Sequence, residues 1–172
     1  MIRLPILSAI MALLALPTLA QAPDYSSATG TVYAVVRDWV VVQSQELGCS
    51  AYVEGSPMVF NTPPAGGWQL LLATTVTVGP GDLAGSIDID RYSFTDTYYT
   101  DGQWVYAGFP LGLRQSIAAG NLMHAEIGPM VWDLTLGGTT AALLKLEECW
   151  ADLTGWSAAT SSRAGTFAFS GD

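Results

Sequence analysis

Histidine occurs once in the 172 residues, cysteine twice, and lysine and arginine together only six times. Each scarcity removes a class of function. A Ser-His-Asp arrangement needs a histidine within reach of a nucleophile. The lone His124 lies in NLMHAEIG, and the chain has no G-x-S-x-G or comparable nucleophile turn to partner it. Zinc generally takes several His and Cys ligands, which two cysteines and one histidine supply poorly. Nucleic acids and anionic lipid surfaces call for clustered Lys or Arg to neutralise phosphates. The basic residues here are scattered singly at Arg3, Arg37, Arg91, Arg114, Lys145 and Arg163. The glycines stand at turns, alone or in pairs, and none forms a phosphate-cradling loop between a strand and a helix. No catalytic residue, cofactor or metal ligand is therefore assigned, and the chain does not read as an enzyme.

Long apolar runs are also missing, except at the start. MIRLPILSAIMALLALPTLAQA has one basic residue at Arg3, an apolar run from Leu4 to Leu16, and small residues in A-x-A order at Ala20 and Ala22. That is the pattern of a secretory signal peptide over residues 1–22. Pro5 and Pro17 bracket a run shorter than the roughly 20 residues of a spanning helix. Cleavage leaves no predicted membrane span and places the protein in the periplasm or outside the cell. Because Arg3 leaves with the signal, the mature chain carries five basic residues against fifteen acidic ones, a formal charge of −10.

About 150 residues suffice for one domain with its own core. Residues 23–30 read as a flexible leader, 31–153 as the folded domain, and 154–172 as a partly disordered tail in which Thr166–Phe169 could add an edge strand. Thr31–Val36 and Trp39–Ser44 are β-branched and aromatic, separated by a turn at Arg37-Asp38. CSAYV and MVF follow as short strands. WQLLLATTVTV, Trp68–Val78, is the strongest strand candidate, and GSIDIDRYSF directs Ile87 and Ile89 to one face and Ser86, Asp88 and Asp90 to the other. Asp101-Gly102 marks a hairpin flanked by aromatics. Leu113, Ile117 and Ala118 at helical spacing predict a short helix ending near Gly120. Two strands joined by Gly128-Pro129 come next. A last helix, predicted to be capped by Thr139 or Thr140, follows with Leu143, Leu146, Cys149 or Trp150 and Leu153 on one face. A short amphipathic helix is unstable alone and needs an apolar partner, here a sheet.

These elements predict a mainly β fold: a single-domain β-sandwich with a short C-terminal helix packed on the sheet. In an oxidising compartment two cysteines most simply pair, so a disulfide between Cys49 and Cys149 is expected to pin that helix to the early strands. Two features retain functional interest. Asp82, Asp88, Asp90, Asp96 and Asp101 crowd a short stretch, but their spacing fits neither an EF-hand nor a nonapeptide repeat, so a solvated acidic face is the favoured reading over a calcium site. Tyr98, Tyr99, Trp104 and Tyr106 form an aromatic cluster that would be a binding surface if exposed.

In sequence order, DWVVVQS, LGCSAYV, WQLLLA, IDIDRY, a short helix before NLMHAEIG, and AALLKLEEC resemble the invasion-associated locus B family of exported envelope proteins of Gram-negative bacteria. The likeness spans about Thr31 to Trp150; the tail after Leu153 and the scarcity of basic residues depart from it. The resemblance implies a compact β-sandwich with a helix near its C-terminus and paired Cys49 and Cys149. It carries over no catalytic residue. The absent catalytic set and an exported β-sandwich point to a non-enzymatic protein that binds an unknown envelope protein or surface component; the alternative is a small ligand or carbohydrate bound at the aromatic cluster.

Overall fold

Alternating β-branched and apolar residues separated by tight turns leave the chain few options but hairpins, and the computed structural model, which describes residues 30–155, is built almost wholly from them. The strands are β1 (Thr31–Val36), β2 (Trp39–Ser44), β3 (Gly48–Val53), β4 (Met58–Thr62), β5 (Gln69–Ala73), β6 (Gly81–Ile89), β7 (Tyr92–Thr100), β8 (Trp104–Gly108), β9 (Leu122–Ile127) and β10 (Met130–Thr135). Helix α1 (Leu111–Ala119) lies between β8 and β9, and α2 (Thr139–Thr154) follows β10. The predicted signal peptide, the leader up to residue 29 and the tail from residue 156 lie outside the described residues.

The strands form one antiparallel sheet in the order β1-β2-β3-β4-β5-β8-β7-β6-β9-β10. The class is the expected one: mainly β, with a C-terminal helix on the sheet and a Cys49–Cys149 disulfide. The sheet has a weak join. β7 pairs with β8 only through Tyr99↔Tyr106 and Thr100↔Val105, so six strands form one lobe and β7-β6-β9-β10 the other. Inward residues of both lobes enter one core, with Trp39, Phe60, Leu70 and Leu72 from the first and Ile87, Ile89, Met123 and Ile127 from the second. Trp39 and Phe60 stack at 5.1 Å, and Phe60 stacks on Phe109 at 5.3 Å. An indole crosses between the lobes: Trp132 Nε1 of β10 donates to the Ala73 carbonyl at the end of β5, 3.0 Å away.

Helix α2 lies across β1–β4 and buries Ala142, Leu143, Leu146 and Cys149 against them. The disulfide then fastens the helix to β3, Cα to Cα 6.1 Å apart. At the helix's far end Tyr33 donates its hydroxyl to Asp152, 2.6 Å away, and Trp150 Nε1 donates to the Pro63 carbonyl. Tyr33 reaches the helix because β1 is bulged between Val32 and Ala34. The extra residue puts Tyr33 and Ala34 on the same, inward side.

Three local expectations are corrected. The strand expected over Trp68–Val78 is only Gln69–Ala73. Thr74 hands its amide to Gln103 and its hydroxyl to the Gly102 carbonyl, which ends β5 against the β7–β8 turn, and Val76 stands exposed. IDIDRYSF does not run straight but folds back at Asp90-Arg91, where Asp90 takes φ +49. Thr139 and Thr140 do not cap α2; its N-cap is Gly138, at φ +80. The Thr139 hydroxyl, 2.9 Å from both the Ile117 and Leu136 carbonyls, shares its one proton between them, and that of Thr140 donates to the Ala118 carbonyl, so the two threonines reach Ile117 and Ala118. They thus serve carbonyls at the open C-terminal end of α1, groups a helix cannot satisfy itself.

Candidate interaction surface

Because side chains alternate across a strand, the faces turned away from the core can be followed residue by residue. One cross-strand row runs Val35, Val40, Tyr52, Val59, Leu71, Tyr106, Tyr99 over β1, β2, β3, β4, β5, β8 and β7. Every member is apolar or aromatic. Val59 and Leu71 at its centre are buried with Ala73 and Trp104 in a small second cluster, flanked by Tyr52 and Tyr106. The two ends are open: Val35 is 66% exposed and Tyr99 49%. Val32, 63% exposed, widens the stripe on β1. A parallel polar row links Ser50 Oγ to Asn61 Oδ1 at 2.8 Å and Asn61 Nδ2 to Gln69 Oε1 at 3.1 Å.

The structure divides the aromatic cluster expected from sequence. Tyr99 and Tyr106 meet on the outer face with ring centroids 6.1 Å apart and planes tilted by 36°. Trp104 shares that face but is 7% exposed, packed among Val59, Leu71 and Ala73. Tyr98 points the opposite way, into the main core, and donates its hydroxyl to the Phe94 carbonyl at 3.1 Å. Burial, reinforced by Asp96 and Asp88, pushes its pKa up to about 12. Tyr52 belongs to the stripe and was not singled out. The signal for it was present, since CSAYV alternates and Tyr52 lies two residues from Ser50, but its neighbours on the sheet come from strands distant in sequence.

Asp101 organises the end of the stripe. Its Oδ1 accepts the amides of Gln103 and Trp104 at 2.8 and 2.7 Å, which shapes the hairpin turn, while its Oδ2 accepts the Tyr106 hydroxyl at 2.7 Å. Burial works to raise the Asp101 pKa, but the Trp104 amide, the Tyr106 hydroxyl and the Gln103 amide outweigh it and hold it below the usual carboxylate value. The other acidic candidates disperse. Asp90 accepts the amides of Asn121 and Leu122, Asp96 accepts that of Thr97, and Asp82 is exposed at the start of β6. Among the described residues no three His, Cys, Asp or Glu side chains are placed to hold a metal ion.

The second lobe's outer face is acidic. Asp88, His124 and Asp133 form one row across β6, β9 and β10. His124 Nδ1 lies 2.7 Å from Asp133 Oδ1 and Nε2 lies 3.1 Å from Glu126 Oε1. Asp133 first, and Glu126 with it, raise the His124 pKa above its ordinary value. Both ring nitrogens are thereby engaged by carboxylates.

The fold and these surfaces define a disulfide-closed, mainly β domain that divides its outer face into an apolar lobe and an acidic one. No family model, curated protein or solved structure matches the chain. Among the described residues no helix is long and apolar enough to cross a membrane.

Proposed function

We propose that the protein is an exported periplasmic or envelope protein that binds another protein or an envelope component through the outer face of β1-β2-β3-β4-β5-β8-β7, without catalysing a reaction. The observation that carries this reading is the seven-strand apolar row ending in exposed Val35 and Tyr99. Solvent-facing sheet surfaces ordinarily alternate to polar residues, and a contiguous apolar one marks an interaction site. The engagement of the sole histidine by Asp133 and Glu126 supports a non-enzymatic role, and the disulfide suits an oxidising compartment. Both fit what the resemblance to the invasion-associated locus B family implies.

Photo-crosslinking in intact cells tests this reading. A benzophenone side chain at Val35 or Tyr99 should yield one recurrent adduct that the same group at Gln115, exposed on α1, does not. Val35→Asp should diminish the Tyr99 adduct. Equal labelling from Gln115, or none from the stripe, would overturn the assignment. The Tyr99–Tyr106 pair favours a second reading, a soluble carbohydrate stacked on those rings, which predicts a glycan-dependent change in tryptophan emission through neighbouring Trp104.

A further inference from the structure

The two ends of the sheet are not alike. β1 lies along the open stripe, whereas the free edge of β10 borders a cleft of about 470 Å³. It is lined by Asp133, Leu134 and Thr135 of β10 together with Arg37, Asp38 and Trp39 at the start of β2 and Pro57 and Met58 at the start of β4. Indoles bridge the lobes on either side of this stretch of β10: Trp132 Nε1 donates to Ala73, and Trp39 Nε1 donates to the Gly137 carbonyl, each at 3.0 Å.

Backbone direction along β10 follows from its hairpin. Ile127 and Met130 close a two-residue turn with Gly128 at φ +55. Residues flanking such a turn are a hydrogen-bonded pair, and the pattern then alternates. Met130, Trp132 and Leu134 therefore bond to β9, and the bond from the Leu136 amide to the Asn121 carbonyl continues the series. Val131, Asp133 and Thr135 turn their N–H and C=O groups to the other side, where Asp133 and Thr135 meet the cleft. No backbone partner on that side is found for them among the described residues.

We propose that this cleft binds an extended peptide of alternating basic and apolar residues, added antiparallel to β10 as an eleventh strand. Strand addition supplies main-chain hydrogen bonds, and alternate side chains supply selectivity. The added strand's residue opposite Asp133 extends the row Asp88, His124, Asp133, so a Lys or Arg there sits one strand spacing, about 5 Å, from the Asp133 carboxylate. Glu126 and Asp88, two and three strands away, add only a longer-range negative field, and Asp38 in the cleft lining offsets Arg37. Its neighbours point inward toward Trp39, Pro57, Met58 and Leu134, which suits Val or Leu. The site is separate from the apolar stripe, and loss of either leaves the other standing.

The test uses the exported, disulfide-bonded chain and a capped hexapeptide of alternating lysine and valine. A residue opposite Asp133 must direct its own N–H at β10, so N-methylation of the lysines should weaken binding about tenfold by removing main-chain bonds. N-methylation of the valines should leave it unchanged. Amide shifts should centre on Asp133 and Thr135. Asp133→Asn should weaken binding, and Thr135→Pro, which removes an N–H that the fold does not use, should abolish it. Equal loss from both methylated peptides, shifts spread over all acidic strands or centred on Tyr99, or no saturable binding at millimolar peptide would each overturn the proposal.

Discussion

Removing the disulfide by Cys49→Ala together with Cys149→Ala tests whether α2 is held by packing or by the covalent tie. The bridge joins residues 100 apart in sequence, so it constrains most of the domain in the unfolded state. The chain-entropy relation gives about 4 to 5 kcal/mol for a loop of that size. Domains of this length are stable by about 5–15 kcal/mol, so the loss is a large fraction of the whole. With a urea slope of about 2 kcal/mol per molar, the unfolding midpoint should fall by about 2 M. Equilibrium urea unfolding followed by tryptophan fluorescence measures this, and hydrogen exchange locates it. If the bridge acts by closing the long loop, core amides in β3, β5 and β9 lose protection together. If it only pins the helix, α2 amides alone lose protection. A midpoint shift below about 0.5 M, or loss confined to α2, would refute the loop-closure argument.

Other substitutions probe the join between lobes and the titrating groups. Trp132→Phe removes the indole bond to the Ala73 carbonyl, which reinforces a strand ladder of only two residue pairs between the lobes, and should cost about 2 kcal/mol in urea unfolding. Gly48 sits at φ +85, and a Cβ there would run into the Thr62 carbonyl, so Gly48→Ala should cost at least the 1–3 kcal/mol expected of backbone strain alone. The His124 imidazole, its pKa raised by Asp133 and Glu126, should titrate by NMR above the ordinary 6.5. Its contribution to stability is complete below that value and is lost as pH rises through the folded value, so His124→Gln should flatten the pH dependence of the urea midpoint near neutrality. Tyr33 and Tyr98 are both pushed up to about 12, Tyr33 chiefly by its bond to Asp152 and Tyr98 by burial. Ultraviolet titration should find two late-ionising tyrosines, with stability falling between about pH 10 and 12 because the unfolded chain loses those protons first.

What the sequence disclosed was whatever depends on neighbours in the chain. Alternation in NLMHAEIG places Met123, Ala125 and Ile127 in the core and His124 outside, and helical spacing gives Leu143, Leu146 and Cys149 one face. Where the outcome depends on a distant strand, local pattern was silent or misleading. TTVTV alternates as a strand should, yet no strand lies beside Thr74–Val78 to pair with it, since β8 begins only at Trp104, opposite Ala73. In Asp90-Arg91 the turn signal is Asp90 alone, which tolerates its φ of +49 and accepts the amides of Asn121 and Leu122, but IDIDRY reads as continuous alternation that masks it. Tyr98 and Tyr99 are adjacent and so must face opposite ways, a consequence of strand geometry that a compositional cluster conceals. The row from Val35 to Tyr99 draws on seven strands, which no window of sequence contains.

The register at which the rows cross β7 accounts for how one sheet presents two chemically different outer surfaces. On the apolar side, short hairpins stack β1 through β5 in chain order, so outward positions of consecutive strands become neighbours and a stripe forms from one residue each. On the other side, β6 lies between β7 and β9, and its outward Ser86 and Asp88 fall beside Glu126 and His124 of β9. The row through Asp88 reaches β7 at Ser93 and that through Ser86 reaches it at Thr95, whereas the apolar row reaches β7 at Tyr99, opposite Asp82. Because β8 pairs β7 only at Tyr99 and Thr100, Ser93 and Thr95 have no partner on β8 and the rows through Asp88 and Ser86 stop at β7. The free edge of β10 then lies at the end of the acidic rows and that of β1 at the end of the apolar row, and each edge inherits the chemistry of the face it terminates. On this architecture a partner drawn by apolar contact and a peptide drawn by charge would engage opposite ends of the same sheet.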